Sequence, residues 1–177
     1  MSKILIVVDM QNDFIYGSLG SPAAESIVFP VLEKVQEARA NCDPIIFTKD
    51  IHYEDYAETV EGGCVPPHCF ANGNGHWIIE ELQHYVDYLV VKSTYGYQGW
   101  KEYEEFFKDI DYIELCGVCT DICVISNALL LRGIYPKIPI VVDMRCCNGS
   151  STEADLAAVK IMASCNIEVL NKEWVFG

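Results

Sequence analysis

Continuous apolar runs, not alternating ones, set the character of this chain. Lys3 to Met10, Pro44 to Thr48, Tyr88 to Lys92, Tyr112 to Leu115 and Lys137 to Asp143 are each dominated by β-branched or other apolar residues. Runs of this kind suit the inner strands of a parallel sheet, which are buried on both faces. Between them the apolar spacing turns helical. Val28, Val31, Leu32, Val35 and Ala38 mark a helix over Ser26 to Ala40, with Pro30 in its first turn, where proline is tolerated. Trp100 to Lys108 reads as a helix with a solvated acidic face of Glu102, Glu104 and Glu105. Thr120 and Asp121 offer caps for a helix over Ile122 to Arg132 that closes at Gly133, and Gly117 breaks the strand before it. Ser151 or Thr152 caps a helix over Glu153 to Ser164, and Ile167 to Leu170 reads as a last, edge strand. Strand and helix alternate without repeat or linker. This predicts one α/β domain over residues 1–177, with about six strands, mostly of parallel type, and right-handed crossovers.

Composition narrows the function classes. The chain has 177 residues, 51% hydrophobic and 21% charged, which is the balance of a globular domain with a sizeable core. No apolar run reaches transmembrane length. The first strand meets Asp9 too soon to be a secretory signal, so a cytoplasmic location is expected. Nine cysteines without a small-scaffold spacing read as reduced thiols. The net charge of −14 argues against nucleic-acid and anionic-membrane partners and says little about a substrate.

The chemistry gathers at strand ends. Asp9, Lys92 and Cys123 each lie at or just past the C-terminal end of an expected strand, and in a parallel sheet those ends share one edge. Cys123 falls in the first turn of its helix. Free N–H groups and the positive end of the helix dipole favour thiolate there and can receive an oxyanion. An ammonium stabilises the thiolate, and a carboxylate can take its proton and return it to a leaving group. Taken alone, Cys123 reads more readily as a small buried hydrophobe, and the other segments shift that balance. Cys119 precedes the caps and belongs to the strand end.

The segment from Asp50 to His68 is long, polar and rich in Gly and Pro, and loops of this length in a compact domain usually carry function. Asp50 and His52 face the same side in extended chain, and a Pro-Pro pair stiffens the approach to His68. One carboxylate and two imidazoles form an open site for zinc or a similar ion, to which Glu61 can add a fourth oxygen. Cys64 and Cys69 flank His68 as softer alternatives. Asp13 reads as a cap or brace for its own loop.

Val7-Val-Asp-Met-Gln-Asn-Asp-Phe14, Val91-Lys-Ser93 and Gly117-Val-Cys-Thr-Asp-Ile-Cys-Val124 resemble the three signatures of the isochorismatase-like cysteine hydrolases. Asp50-Ile-His52, Glu61 and Pro66-Pro-His-Cys69 resemble the metal segment of the nicotinamidase branch, and the similarity spans nearly the whole chain. The resemblance implies the isochorismatase-like hydrolase fold, with a six-stranded, mostly parallel sheet and helices on both faces. It implies a triad of Asp9, Lys92 and Cys123, with an oxyanion hole of the Cys119 and Cys123 backbone N–H groups aimed by a cis Val118–Cys119 peptide. It implies a divalent metal, zinc or similar, on Asp50, His52 and His68, with Glu61 as fourth ligand or supporting group. The activity implied is hydrolysis of nicotinamide to nicotinate and ammonia through a thioester, with the metal orienting the ring. Assembly of identical chains is implied as well.

The chain departs from the branch in two places. Val65 stands where an aromatic usually precedes Pro-Pro-His, leaving Phe14, Tyr95, Tyr97 or Trp100 to complete the substrate pocket, and Met144-Arg145 replaces small residues after Asp143. These departures keep open a second reading, a family hydrolase for another small amide, carbamoyl or ureido compound. A third is a non-catalytic thiol or metal-binding module with Cys119 and Cys123 as a redox pair. Against the third, the pair lacks Cys-x-x-Cys spacing, and Asp9 and Lys92 are left without roles.

Overall fold

A computed structural model describes residues 2–176, with backbone only for Phe176. The strands are β1 (Lys3–Val8), β2 (Ile45–Asp50), β3 (Tyr88–Lys92), β4 (Tyr112–Val118), β5 (Ile140–Asn148) and β6 (Glu168–Leu170). They form one six-stranded sheet in the order β3-β2-β1-β4-β5-β6, and all five pairings are parallel. β1 is central because it is the most continuous apolar run, buried at all six positions. The helices are α1 (Asn12–Ile15), α2 (Pro22–Ser26), α3 (Val28–Ala40), α4 (Glu80–Gln83), α5 (Ile125–Ile134) and α6 (Thr152–Ser164). They cover both sheet faces, with α3 against β1, β2 and β5, α5 against β5 and α6 against β6. Among the described residues no helix is long and apolar enough to cross a membrane.

The strand order positions the site. From β1 the chain steps outward to β2 and β3, then returns to the other side of β1 for β4, β5 and β6. The carboxyl ends of β1 and β4 therefore flank the point where the order reverses, which is where open α/β sheets form a crevice.

Several local expectations need correction. Gly117 does not break β4. It lies within the strand at φ 115°, and a Cβ there would meet the Val8 carbonyl oxygen at 2.1 Å. Only glycine allows that backbone and that approach. Thr120 and Asp121 do not cap a helix. The chain turns through a π-type turn over Thr120–Val124, with the Val124 N–H donating to the Cys119 carbonyl at 3.0 Å. The Asp121 carboxylate accepts instead from the Ser150 N–H and hydroxyl, at 2.8 and 2.6 Å. α5 starts at Ile125 and runs through Gly133. The segment Gln98–Phe107 is 3-10 rather than α-helical, with Trp100 and Phe107 turned inward. The helix over 26–40 divides at Ile27 into α2 and α3. Ser151 caps α6 through the Ala154 N–H at 3.1 Å.

Asp143 is not a strand end either. β5 continues past it to Asn148, and Asp143 is paired in mid-strand. Lys34 of α3 reaches both Glu114 and Asp143, the latter at 2.8 Å, and Lys3 meets Glu114 at 2.6 Å. All four side chains are at most 8% exposed. Burial works against the Asp143 charge, but Lys34 and Asn171 hold its carboxyl below the usual range. Removing one member leaves uncompensated charge in the core. Lys34→Met is therefore expected to destabilise the fold by about 3–5 kcal/mol, measured by urea unfolding. A loss within experimental error would show the network to be energetically idle.

Candidate active site

Three elements deliver three side chains to the crevice. Asp9 follows β1 directly, at a left-handed φ of 50°, and is fully buried. Lys92 is the last residue of β3 and 5% exposed. Cys123 lies in the turn after β4, also 5% exposed. The Lys92 Nζ stands 2.7 Å from Asp9 Oδ2 and 3.8 Å from Cys123 Sγ. A carboxylate, an ammonium and a sulfur from distant parts of the chain thus share one buried position.

Their ionisation follows from burial and mutual charge. Burial raises the Asp9 carboxyl above its usual range, and the charge of Lys92 only partly offsets this. Burial disfavours the Lys92 charge, yet Asp9 and the Cys123 sulfur hold the amine protonated. The Cys123 thiol is pushed well above its ordinary value by burial, against the pull of Lys92. The expected helix first turn is corrected here, because Cys123 lies in the π-type turn before α5, and burial there works against the thiolate. The thiol rests neutral beside an acceptor that gains proton affinity from the same burial.

The peptide between Val118 and Cys119 is cis. No carbonyl or side chain among the described residues accepts from the Cys119 N–H. The Cys119 thiol itself is half-buried, and burial pushes it up to about 12.

Beside this group, Asp50, His52, Glu61 and His68 bring four donor atoms within 4.8 Å of one another. His52 Nε2 lies 3.2 Å from Asp50 Oδ2 and 4.0 Å from Glu61 Oε1, and His68 Nε2 lies 3.7 Å from both oxygens. A tetrahedral ion with ligand bonds near 2.0–2.1 Å has edges of about 3.3 Å, so the separations fit a small divalent cation after minor closure. Two further observations agree. His52 Nε2 and Asp50 Oδ1 are buried without hydrogen-bond partners. The His68 ring has Nδ1 2.9 Å from the Pro66 carbonyl, which orients Nε2 into the cluster with its lone pair free. Cys64 is exposed, and Cys69 points to Gln11 and Gly75, so neither joins the set. Lys92 Nζ is 3.8 Å from Asp50 Oδ1, which joins the two groups into one site.

The expected pocket residues divide. The Phe14 ring lies 5.2 Å from that of His68. Tyr95 is 40% exposed on the loop after Lys92, and after desolvation it is the charges of Glu61 and Cys123 that raise its hydroxyl most. Val65 is half-buried, its carbonyl accepting from Tyr56 Oη at 3.3 Å. Trp100 is not brought in. It is fully buried, donates its indole N–H to Asn127 at 2.9 Å, and packs on Tyr97, Tyr103 and Phe107. Tyr97 turns toward the same aromatic cluster.

Sequence reasoning overlooked the residues that hold these groups. Thr48 Oγ1 donates to Asp9 Oδ1 at 2.6 Å. Its signal was period two, since Thr48 and Asp50 point the same way along β2. Gln11, fully buried, accepts from the Asp50 N–H at 2.7 Å and donates to the Asp50 carbonyl at 2.8 Å. Asp13, expected to brace its own loop, instead accepts from the Cys69 N–H at 2.7 Å and so fixes the chain beside His68.

The chain is similar along most of its length to known proteins. The isochorismatase domain matches residues 3–173. A nicotinamidase from Schizosaccharomyces pombe is 28% identical over 96% of this chain and 93% of its own length. A nicotinamidase from Saccharomyces cerevisiae is 27% identical over 80% of this chain and 86% of its own. The pyrazinamidase of Pyrococcus horikoshii, solved in complex with zinc, superposes with a TM-score of 0.84 at 25% identity, covering 96% of this chain and 99% of that one. With residues 3–173 of its 177 accounted for by that single domain, the chain belongs to the isochorismatase family.

Proposed function

We propose that this chain is a metal-dependent cysteine amidohydrolase and that its substrate is nicotinamide. The observation that carries the reading is the junction of two buried groups, Asp9–Lys92–Cys123 and Asp50–His52–Glu61–His68, through the 3.8 Å approach of Lys92 to Asp50. The nicotinamidases among the relatives support the choice of amide.

Cys123 attacks the amide carbon as its proton passes to Asp9, whose raised proton affinity suits that task. Lys92 stays cationic and stabilises the sulfur as charge develops. The carbonyl oxygen, now an oxyanion, rests on the Cys119 and Cys123 N–H groups. Asp9 gives its proton to the departing nitrogen, the C–N bond breaks, and ammonia leaves a thioester on Cys123. Asp9 then takes a proton from water, the hydroxyl adds to the thioester carbon, and the C–S bond breaks as Asp9 returns that proton to the sulfur. Nicotinate leaves and the thiol is restored, with one water consumed per ammonia released.

Asp50, His52 and His68 would hold the divalent ion, with Glu61 as fourth donor or as hydrogen-bond partner to a ligand on the ion. When bound, the ion supplies a Lewis-acid anchor for a pyridine nitrogen. Phe14, whose ring lies 5.2 Å from that of His68, is the aromatic side chain beside the proposed ion site.

Val65 favours a second reading, in which the ring-stacking aromatic is absent because the substrate is another small amide, carbamoyl or ureido compound. One experiment separates them: metal analysis of purified protein beside ammonia release from nicotinamide and from a ureido panel. The expected result is about one divalent ion per chain and nicotinate formed in step with ammonia. Chelation is expected to lower the rate at least about tenfold, with recovery on adding zinc. Bound metal with turnover of ureido compounds alone would favour the second reading. Neither metal nor ammonia would overturn both.

A further inference from the structure

Asn127 is a fully buried amide in the first turn of α5, where core packing does not call for asparagine. A polar residue kept against that preference is a place to look for function. All four of its hydrogen-bond capacities are in use. Nδ2 donates to the Cys123 carbonyl at 2.8 Å and to the Tyr95 carbonyl at 3.3 Å. Oδ1 accepts from the Tyr97 N–H and the Trp100 indole N–H, each at 2.9 Å. Two carbonyls on one side and two N–H donors on the other fix the orientation of the amide. Its partners belong to two segments. One is the turn that carries Cys123, a helical turn before Asn127. The other is the loop that leaves Lys92 at the end of β3, carries the half-exposed Tyr95 and leads into the 3-10 segment with Trp100.

We infer that Asn127 is a positioning residue, which locks the loop after Lys92 onto the turn that holds Cys123. No other described side chain hydrogen-bonds to both segments. The bond to the Cys123 carbonyl sets the turn, and with it the aim of the sulfur. The bonds to the Tyr95, Tyr97 and Trp100 groups set the loop that leaves Lys92. The inference rests on the proposed amidohydrolase reading for its kinetic consequence, though not for the geometry.

Two variants divide the roles. Asn127→Leu removes every bond at similar volume. Asn127→Thr keeps a hydroxyl able to bond the carbonyl four residues back, and so restores the link to Cys123 but not the links to the loop. In Asn127→Leu, kcat is expected to fall at least about tenfold and KM to rise at least about threefold. In Asn127→Thr, kcat is expected to recover to within about threefold of the parent while KM stays raised. A merely structural amide would lower the melting temperature of both variants and leave kcat and KM per folded molecule unmoved, and that result would overturn the inference. A second measurement needs no turnover. Iodoacetamide labelling of Cys123, read by peptide mapping, should run at least about fivefold faster in Asn127→Leu than in the parent, because the loop no longer seals the sulfur. Equal labelling rates would overturn the inference even if nicotinamide proved not to be the substrate. Failure of the parent to hydrolyse any amide would count against the function alone.

Discussion

Cys123→Ala is expected to lower ammonia release from nicotinamide by at least about 10³-fold, since loss of the attacking group removes the covalent route altogether. The fold should survive. The side chain is small and 5% exposed, and removing one sulfur from that position costs about 1 kcal/mol or a little more. A thermal melt within a few degrees of the parent, together with unchanged metal content, would separate lost chemistry from lost structure. Cys119→Ser is the matched comparison. Its thiol is half-buried and pushed up by burial, and the Lys92 hydrogen bond goes to the Cys123 sulfur. Its part in the mechanism is played by the backbone N–H, which serine retains, so its rate should stay within about tenfold of the parent. Full activity in Cys123→Ala would remove the nucleophile from the account.

Asp9→Asn carries the second large effect. The substitution keeps the shape and one acceptor for Thr48 Oγ1, which now donates to Asp9 Oδ1 at 2.6 Å. It removes the only carboxylate within 3 Å of Lys92 among the described residues. The amide cannot take the thiol proton, protonate the leaving nitrogen or activate water. The thiol that burial holds neutral then has no acceptor. kcat is expected to fall by about 10²–10⁴-fold with KM within about threefold, the signature of an interaction made in the transition state. The measurement is steady-state ammonia release at saturating and limiting nicotinamide. A rise in KM with kcat intact would make Asp9 a binding group instead.

How far the molecule could be read from its sequence depends on which forces decide each feature. The inner strands were legible because a doubly buried strand must be apolar throughout, as β1 is. Asp9 and Lys92 were legible because each interrupts such a run at its carboxyl end. Asp50, His52 and His68 were legible from spacing and from the stiffness of Pro66-Pro67. Glu61 was legible only as an extra oxygen nearby. The turn around Cys123 was not. Whether a segment closes bonds to the third, fourth or fifth residue depends on contacts that local sequence does not contain, and the same holds for the 3-10 segment around Trp100. Asp143 was misread because β5 continues through Arg145 and Asn148, polar positions that strand pairing tolerates near a sheet end. Thr48, Gln11 and Asn127 were invisible for a common reason. A buried polar residue announces its role only through its partners, and those partners are set by strand order rather than by neighbours in the chain.

The account turns on a covalent bond between Cys123 and the acyl group of the substrate. Acid quenching of the enzyme during turnover of nicotinamide, followed by fragmentation mass spectrometry, locates that bond directly. The expected result is a pyridine-3-carbonyl group on the Cys123 sulfur, absent from the other eight thiols. The same adduct found on Cys119, or on any thiol away from Asp9 and Lys92, would contradict it.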